Sequence, residues 1–256
     1  MNKRDFIKRL MAGSMLMAVH PFLPSCQSEK KKPLQAFNID FNWGEGGINA
    51  FPAPGTWADA DPKEHIQWYA DMGCTTIQTF AVSCNGYAWY KHGFVPEQPG
   101  LKYDFLPEMV RLGHERGMEV FGYFCAGANT KWGLDHPDLS YGTPSAPHIP
   151  FTRAYLTYLG NSITDAVKKS GMDGFMVDWI WNPGATMEPY PPLKWLDCEK
   201  EMYEELMGEA FPGIGQLDAA HIQTFRRRAV ERCWNTIYTA AKKGNPKCKI
   251  WVTCCQ

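Results

Sequence analysis

Asp178 stands in GMDGFMVDWIWNPG at 171–184, a lone carboxylate driven into an apolar run and followed at once by two tryptophans. An ionised Asp inside such a run costs several kcal/mol unless it is paired or reaches solvent, which predicts a place at the exposed end of a buried strand. There a carboxylate can serve as a nucleophile or as a fixed charge beside a developing cation. A helix N-cap or a structural ion pair would use the same residue type, but WIWNPG separates Asp178 from the next helical pattern. Chemistry is the stronger reading, and chemistry of this kind needs a second acid. Glu45, in WGEGG, and Glu188, in NPGATMEPYPP, each follow a predicted strand and are the candidates for that role.

The elements that must position these residues alternate. FNIDFNW at 37–43 reads as a strand; DPKEHIQWYADMG at 61–73 has Asp and Pro in N-cap and N1 order and ends at Gly, the punctuation of a helix. TTIQTFAVS at 75–83 is the next strand, followed by a helix at 104–117, a strand at 118–127, a long loop at 128–152, a helix at 153–170 and a strand at 172–180. Helices near 197–211 and 218–243 and a strand at 248–254 complete the pattern. Near-continuous apolar strands between helices predict an α/β fold with a parallel, helix-covered sheet. Helix-to-strand joins are tight, as in HERG-MEV and KKSG-MDG, whereas strand-to-helix loops are long and carry the polar and aromatic residues. That asymmetry favours a (β/α)8 barrel of the TIM type over an open nucleotide-binding sheet, and no GxGxxG follows the first strand. Five strands are predicted where a barrel has eight, so an incomplete, C-terminally shortened barrel is expected, with a smaller complete α/β sheet as the alternative.

The pattern GMDGFMVDW resembles a motif of retaining glycoside hydrolases of barrel fold, notably α-L-fucosidases and the related α-galactosidase and α-amylase-like groups. In those enzymes a Gly-hydrophobic-Asp-Gly opening leads through apolar residues to the nucleophilic Asp. The resemblance covers 171–182 as a motif and about 36–256 as architecture, and it lacks a fucosidase-type double histidine. It implies hydrolysis of a poly- or oligosaccharide by retention, with Asp178 as nucleophile and no organic cofactor; in those families the acid often comes from a later strand or loop, an alternative to Glu45 and Glu188, and no Cys/His spacing predicts a metal. Asp40, Asn42 and Trp43 after the first strand, Tyr123 on the third, and Trp181 with Asn182 after the fourth would then hold the sugar. Asp40 has an internal core hydrogen bond as an equal reading, and Gln78, Phe80, Tyr123 and Cys125 read more readily as core. In extended geometry Trp179 and Trp181 face away from Asp178. His136 and His148 in the long loop are further hydroxyl partners, with exposed surface positions as the bland alternative. The competing function is a non-catalytic carbohydrate-binding protein. An isomerase or aldolase would want a Lys at a strand end, and Lys131 and Lys194 are predicted in loops.

Composition bounds the rest. The 256 residues, 45% hydrophobic, suffice for one large core, and a formal net charge of −1 gives no footprint for nucleic acid. Lys3, Arg4, Lys8 and Arg9 precede the apolar stretch 10–23 and then LPSC at 23–26, so residues 1–26 read as an export signal. LPSC resembles a bacterial lipobox with Cys26 as the lipidated residue, and MNKRDFIKRL is similar to a twin-arginine leader. The expected location is the periplasm or outer membrane, with a lipid anchor in the membrane, a polar tether at 27–36 and the barrel-type domain at 37–256. The nine cysteines are scattered and read as buried thiols.

Overall fold

The backbone of β4, Gly174–Asp178, hydrogen-bonds to strands on both sides, which places the apolar run inside the sheet. The structure is a computed structural model and describes residues 33–44, 51–180 and 193–253. From Pro33 onward the chain forms one unit. Its sheet holds five parallel strands in sequential order: β1 Ala36–Asn38, β2 Thr76–Gln78, β3 Glu119–Cys125, β4 and β5 Lys249–Val252. The helices between them are α1 Pro62–Asp71, α2 Phe105–Glu115, α3 Thr130–Asp135, α4 Arg153–Ser170, α5 Asp197–Met207 and α6 Ala219–Gly244. Since crossovers between parallel strands are right-handed as a rule, neighbours joined in sequence put their covering helices on one face of the sheet.

Local signals set the ends of the helices. The Asp61 side chain accepts from Lys63 N ahead of Pro62, Thr152 accepts from Tyr155 N, and Asp218 accepts from His221 N at 2.8 Å. Gly171 ends α4 in the left-handed conformation, φ 70°, that glycine adopts without steric cost. In β3 the residues Val120 and Phe124 pack toward the helices; Phe124 meets Phe175 of β4 edge-on at 5.1 Å. Phe121, Tyr123 and Cys125 occupy the other face, where Phe121 stacks on Trp251 of β5 at 4.0 Å. Gly174 makes that stacking possible, since a Cβ there would come within 2.5 Å of the Phe121 ring.

Several expected bounds move. The paired part of β1 is three residues and begins at Ala36, inside the stretch assigned to the tether, while the remainder of FNIDFNW leaves the sheet. The strands expected at 75–83, 118–127 and 172–180 are likewise shorter, because pairing stops where the chain bends toward the loops. The long loop at 128–152 contains α3 and a 3-10 turn at Pro137–Leu139; Asn129 caps α3 by accepting from Trp132 N at 2.8 Å, and Lys131 is therefore helical. Lys194 is in a loop, as expected. Cys84, Cys125, Cys198, Cys233 and Cys248 are free and buried, and Cys74 is free and half-buried. Among the described residues no helix is long and apolar enough to cross a membrane.

Candidate active site

Asp178 ends β4 half-buried, and each carboxylate oxygen is engaged. The Tyr123 hydroxyl donates to Oδ2 at 3.0 Å; Oδ1 accepts from the Thr253 hydroxyl at 2.6 Å and from Trp179 N at 3.0 Å. Three donors from three directions fix the plane of the carboxylate. The sheet supplies two of them: Cys125 of β3 lies opposite Asp178, and Thr253 follows Val252, which lies opposite Val177. Tyr123 is 1% exposed, and burial raises its hydroxyl well above the ordinary phenol range, so it remains a donor.

The contacts continue from Tyr123 to β1. Because the phenol proton is committed to Asp178, the Cys84 thiol is the donor in its 3.3 Å contact with Tyr123. Burial, followed by the neighbouring Cys125, raises that thiol well above its usual range. Cys84 N donates to Asn42 Oδ1 at 2.8 Å, and Asn42 is buried. Asn42 N in turn donates to Asp40 Oδ1 at 2.8 Å, and the Trp43 indole donates to Asp40 Oδ2 at 3.0 Å. Asp40 keeps an exposed edge, yet the protein around it raises its carboxyl; its two donors pull the other way, and the charge of Asp178 adds to the rise.

A row of rings closes the other side. Trp43 is 6.3 Å from Phe51, and Phe51 is 5.7 Å from Trp179. Trp179 has φ 55°, so the alternation expected of an extended chain fails at the residue after Asp178. Gly127 at the end of β3 permits this bend, because a Cβ there would lie 2.5 Å from the Trp179 carbonyl oxygen. The row presents flat apolar faces beside a carboxylate, the arrangement that receives a sugar ring and its hydroxyls.

Asp178, Asp40, Asn42, Trp43 and Tyr123 are thus drawn together, with Asn42 and Tyr123 tied into internal hydrogen bonds. Glu45, Trp181, Asn182, Glu188 and Cys26 lie outside the described residues. Gln78, Phe80 and Cys125 are buried, as their core reading expects. His136 stacks on Trp132 at 3.6 Å. His148, for which a surface position was the bland alternative, is 1% exposed, and neither ring nitrogen has a hydrogen-bond partner. The Gly127 carbonyl nearby accepts instead from Ile149 N. Thr253, Cys84 and Phe51 escaped the sequence reading. Thr253 could have been found by aligning the ends of the fourth and fifth apolar runs, whereas Phe51 gave no signal.

The first half of the motif is structural. Asp173 Oδ2 accepts from Val120 N and meets His114 Nε2, each at 2.8 Å, tying the start of β4 to β3 and α2. A groove of about 700 Å³ lies on the helical side between α4, α5 and α6, lined by Asn161, Thr164, Arg228, Glu231, Asn235 and Lys243 among others. Its carboxylates are paired with arginines, Glu205 with Arg153 and Arg232 and Glu231 with Arg227.

Residues 61–179 match the model of a family described as hypothetical glycosyl hydrolase 6, a stretch that ends one residue beyond Asp178. A comparison with curated proteins gives no match. The structure is similar to α-L-fucosidase isoenzyme 2 from Paenibacillus thiaminolyticus, with TM-score 0.62, 17% identity, and coverage of 87% of this chain and 32% of that one. It is more distantly similar to the α-galactosidase from Lactobacillus brevis, with TM-score 0.49, 11% identity, and coverage of 86% and 26%. The chain therefore spans about a third or less of the length of these proteins, and the first likeness places its five parallel strands in a fold used by a glycosidase.

Proposed function

We propose that the chain is a glycoside hydrolase acting on a poly- or oligosaccharide by retention, with Asp178 as the nucleophile. The observation that carries this is the position of Asp178: a carboxylate at the C-terminal end of a central parallel strand, fixed by Tyr123, Thr253 and Trp179 N beside a row of aromatic rings. The stretch matching a glycosyl hydrolase family, which ends at this site, supports it. In a retaining mechanism Asp178 attacks the anomeric carbon through an oxocarbenium-like transition state, and water then hydrolyses the glycosyl ester. Residues 1–26 support export and lipid anchoring at Cys26 in the same proposal; loss of a metabolically incorporated lipid label in Cys26→Ser tests the anchor.

Aryl fucosides, galactosides and glucosides, with the matching 2-fluoro glycosyl fluorides, test the chemistry. Asp178→Asn should lower turnover by about a thousandfold or more, ~4 kcal/mol of barrier, with an unchanged circular dichroism melt. The fluoro sugar should leave a covalent adduct on the peptide that carries Asp178. Full activity in Asp178→Asn, or an adduct on another residue, rejects the assignment. Sugar binding without turnover by the wild type selects a carbohydrate-binding function instead.

A further inference from the structure

Glycosidic cleavage through Asp178 needs a second carboxyl group, and β1 brings one to the same end of the sheet. Asp40 lies two residues beyond Asn38, the last residue of β1, and in a parallel sheet the ends of β1 and β4 open on the same side. Two separate routes of contact join it to Asp178. One runs through backbone and side chains, from Asp40 by way of Asn42, Cys84 and Tyr123 to Asp178 Oδ2. The other runs over the rings, from Trp43, whose indole Asp40 holds, through Phe51 to Trp179.

We propose that Asp40 is the proton-transfer partner of Asp178. This rests on the glycosidase function proposed above. As Asp178 forms its bond to the anomeric carbon, the bond from that carbon to the leaving oxygen breaks, the electron pair goes to that oxygen, and Asp40 supplies its proton. In the second half Asp40 takes a proton from water, the water oxygen bonds to the anomeric carbon, and the ester pair returns to Asp178.

The surroundings of the two groups suit this division. Asp178 takes three donors, which hold it in position for attack. Asp40 is exposed at one edge, so a leaving group can reach it. The groups acting on Asp40 are the crowding of the protein, Asn42 N, the Trp43 indole and Asp178. None of these is a cation, and the balance raises the carboxyl, the direction that favours a proton donor. Holding Trp43 in place is a weak alternative role, because that indole is 44% exposed and can bond to water.

Leaving-group dependence separates an acid from a sugar ligand. On the sugar that the wild type accepts, Asp40→Asn should lose about a hundredfold or more on the phenyl glycoside, whose leaving group needs a proton. It should lose little on the 2,4-dinitrophenyl glycoside, whose leaving group does not. The alkaline limb of the pH profile should also disappear. Equal loss on both substrates, or a leaving-group-dependent loss in Glu45→Gln or Glu188→Gln instead, overturns the role of Asp40 and leaves glycosidase activity standing. A wild type that cleaves no aryl glycoside overturns the activity itself, and the acid role with it. A readout independent of turnover uses the Trp43 indole nitrogen, labelled with 15N and identified by its loss in Trp43→Phe. Its resonance should titrate with a midpoint above the ordinary carboxylate range, and the midpoint should fall in Asp178→Asn. A midpoint at or below that range, or one unmoved in Asp178→Asn, overturns the pairing even where Asp40→Asn fails to fold.

Discussion

Tyr123 gives its one hydroxyl proton to Asp178. Tyr123→Phe keeps the ring against Phe80, 4.7 Å away, and removes only the oxygen that Asp178 and Cys84 share. A hydrogen bond to a charged group contributes roughly 1.5–3 kcal/mol, so the melting temperature should fall by several degrees, and kcat/KM should fall about ten- to a hundredfold if the same bond also holds the carboxylate in the transition state. Thr253→Val removes a donor from the other oxygen and should act in the same direction; steady-state kinetics of both variants and of the double variant checks this. A double variant losing much less than the product of the single losses would show one orienting unit, because both hydroxyls fix the same carboxylate. At this scale the sequence was informative for Asp178, since a carboxylate closing an apolar run has few places to go. It was silent on the partners, which arrive from residues 55 positions before and 75 after.

The turn of β4 into Trp179 depends on β3. A side chain at Gly127 would meet the Trp179 carbonyl, so Gly127→Ala must push the left-handed residue away and move Asp178 with it. We expect a large loss of activity with a stability loss of about 1–3 kcal/mol, measured by turnover and by denaturant unfolding on one preparation. Loss of stability with normal turnover would show that the approach serves packing alone. The same residue explains why the facing of the tryptophans was unreadable: alternation assumes extended backbone, and φ at Trp179 is set by what lies across the strand. Helix α4 was legible to the residue, because Thr152 and Gly171 are local signals. Strand β1 was not, because apolar alternation in FNIDFNW continues after the hydrogen bonds to β2 have ended at Asn38.

For the molecule as a whole, burial of titratable groups sets the response to acid. Burial pulls His148 down to about 3 from 6.5, so as pH falls the unfolded chain binds the proton first. The stability contributed by the neutral ring is complete above about pH 6.5 and is lost progressively toward pH 3, roughly 5 kcal/mol in all. His65, also lowered by burial, acts in the same direction, whereas buried Glu199 is raised and its contribution is lost as pH rises above about 4.5. Melting temperature against pH should therefore drop on the acid side, and His148→Leu should flatten that slope whatever its effect at neutral pH. The sulfurs place a clock inside the same fold. Cys84, Cys125, Cys198, Cys233 and Cys248 are all buried and free of disulfides, and burial raises Cys84, Cys198, Cys233 and Cys248, which expose little thiolate. A bulky alkylating reagent can reach them only when the protein opens, so their labelling, read by peptide mass, measures how often each layer comes apart. Cys84, against the Tyr123 hydroxyl, and Cys233, on the buried face of α6, then report whether the strand ends around Asp178 open on their own or only when everything does.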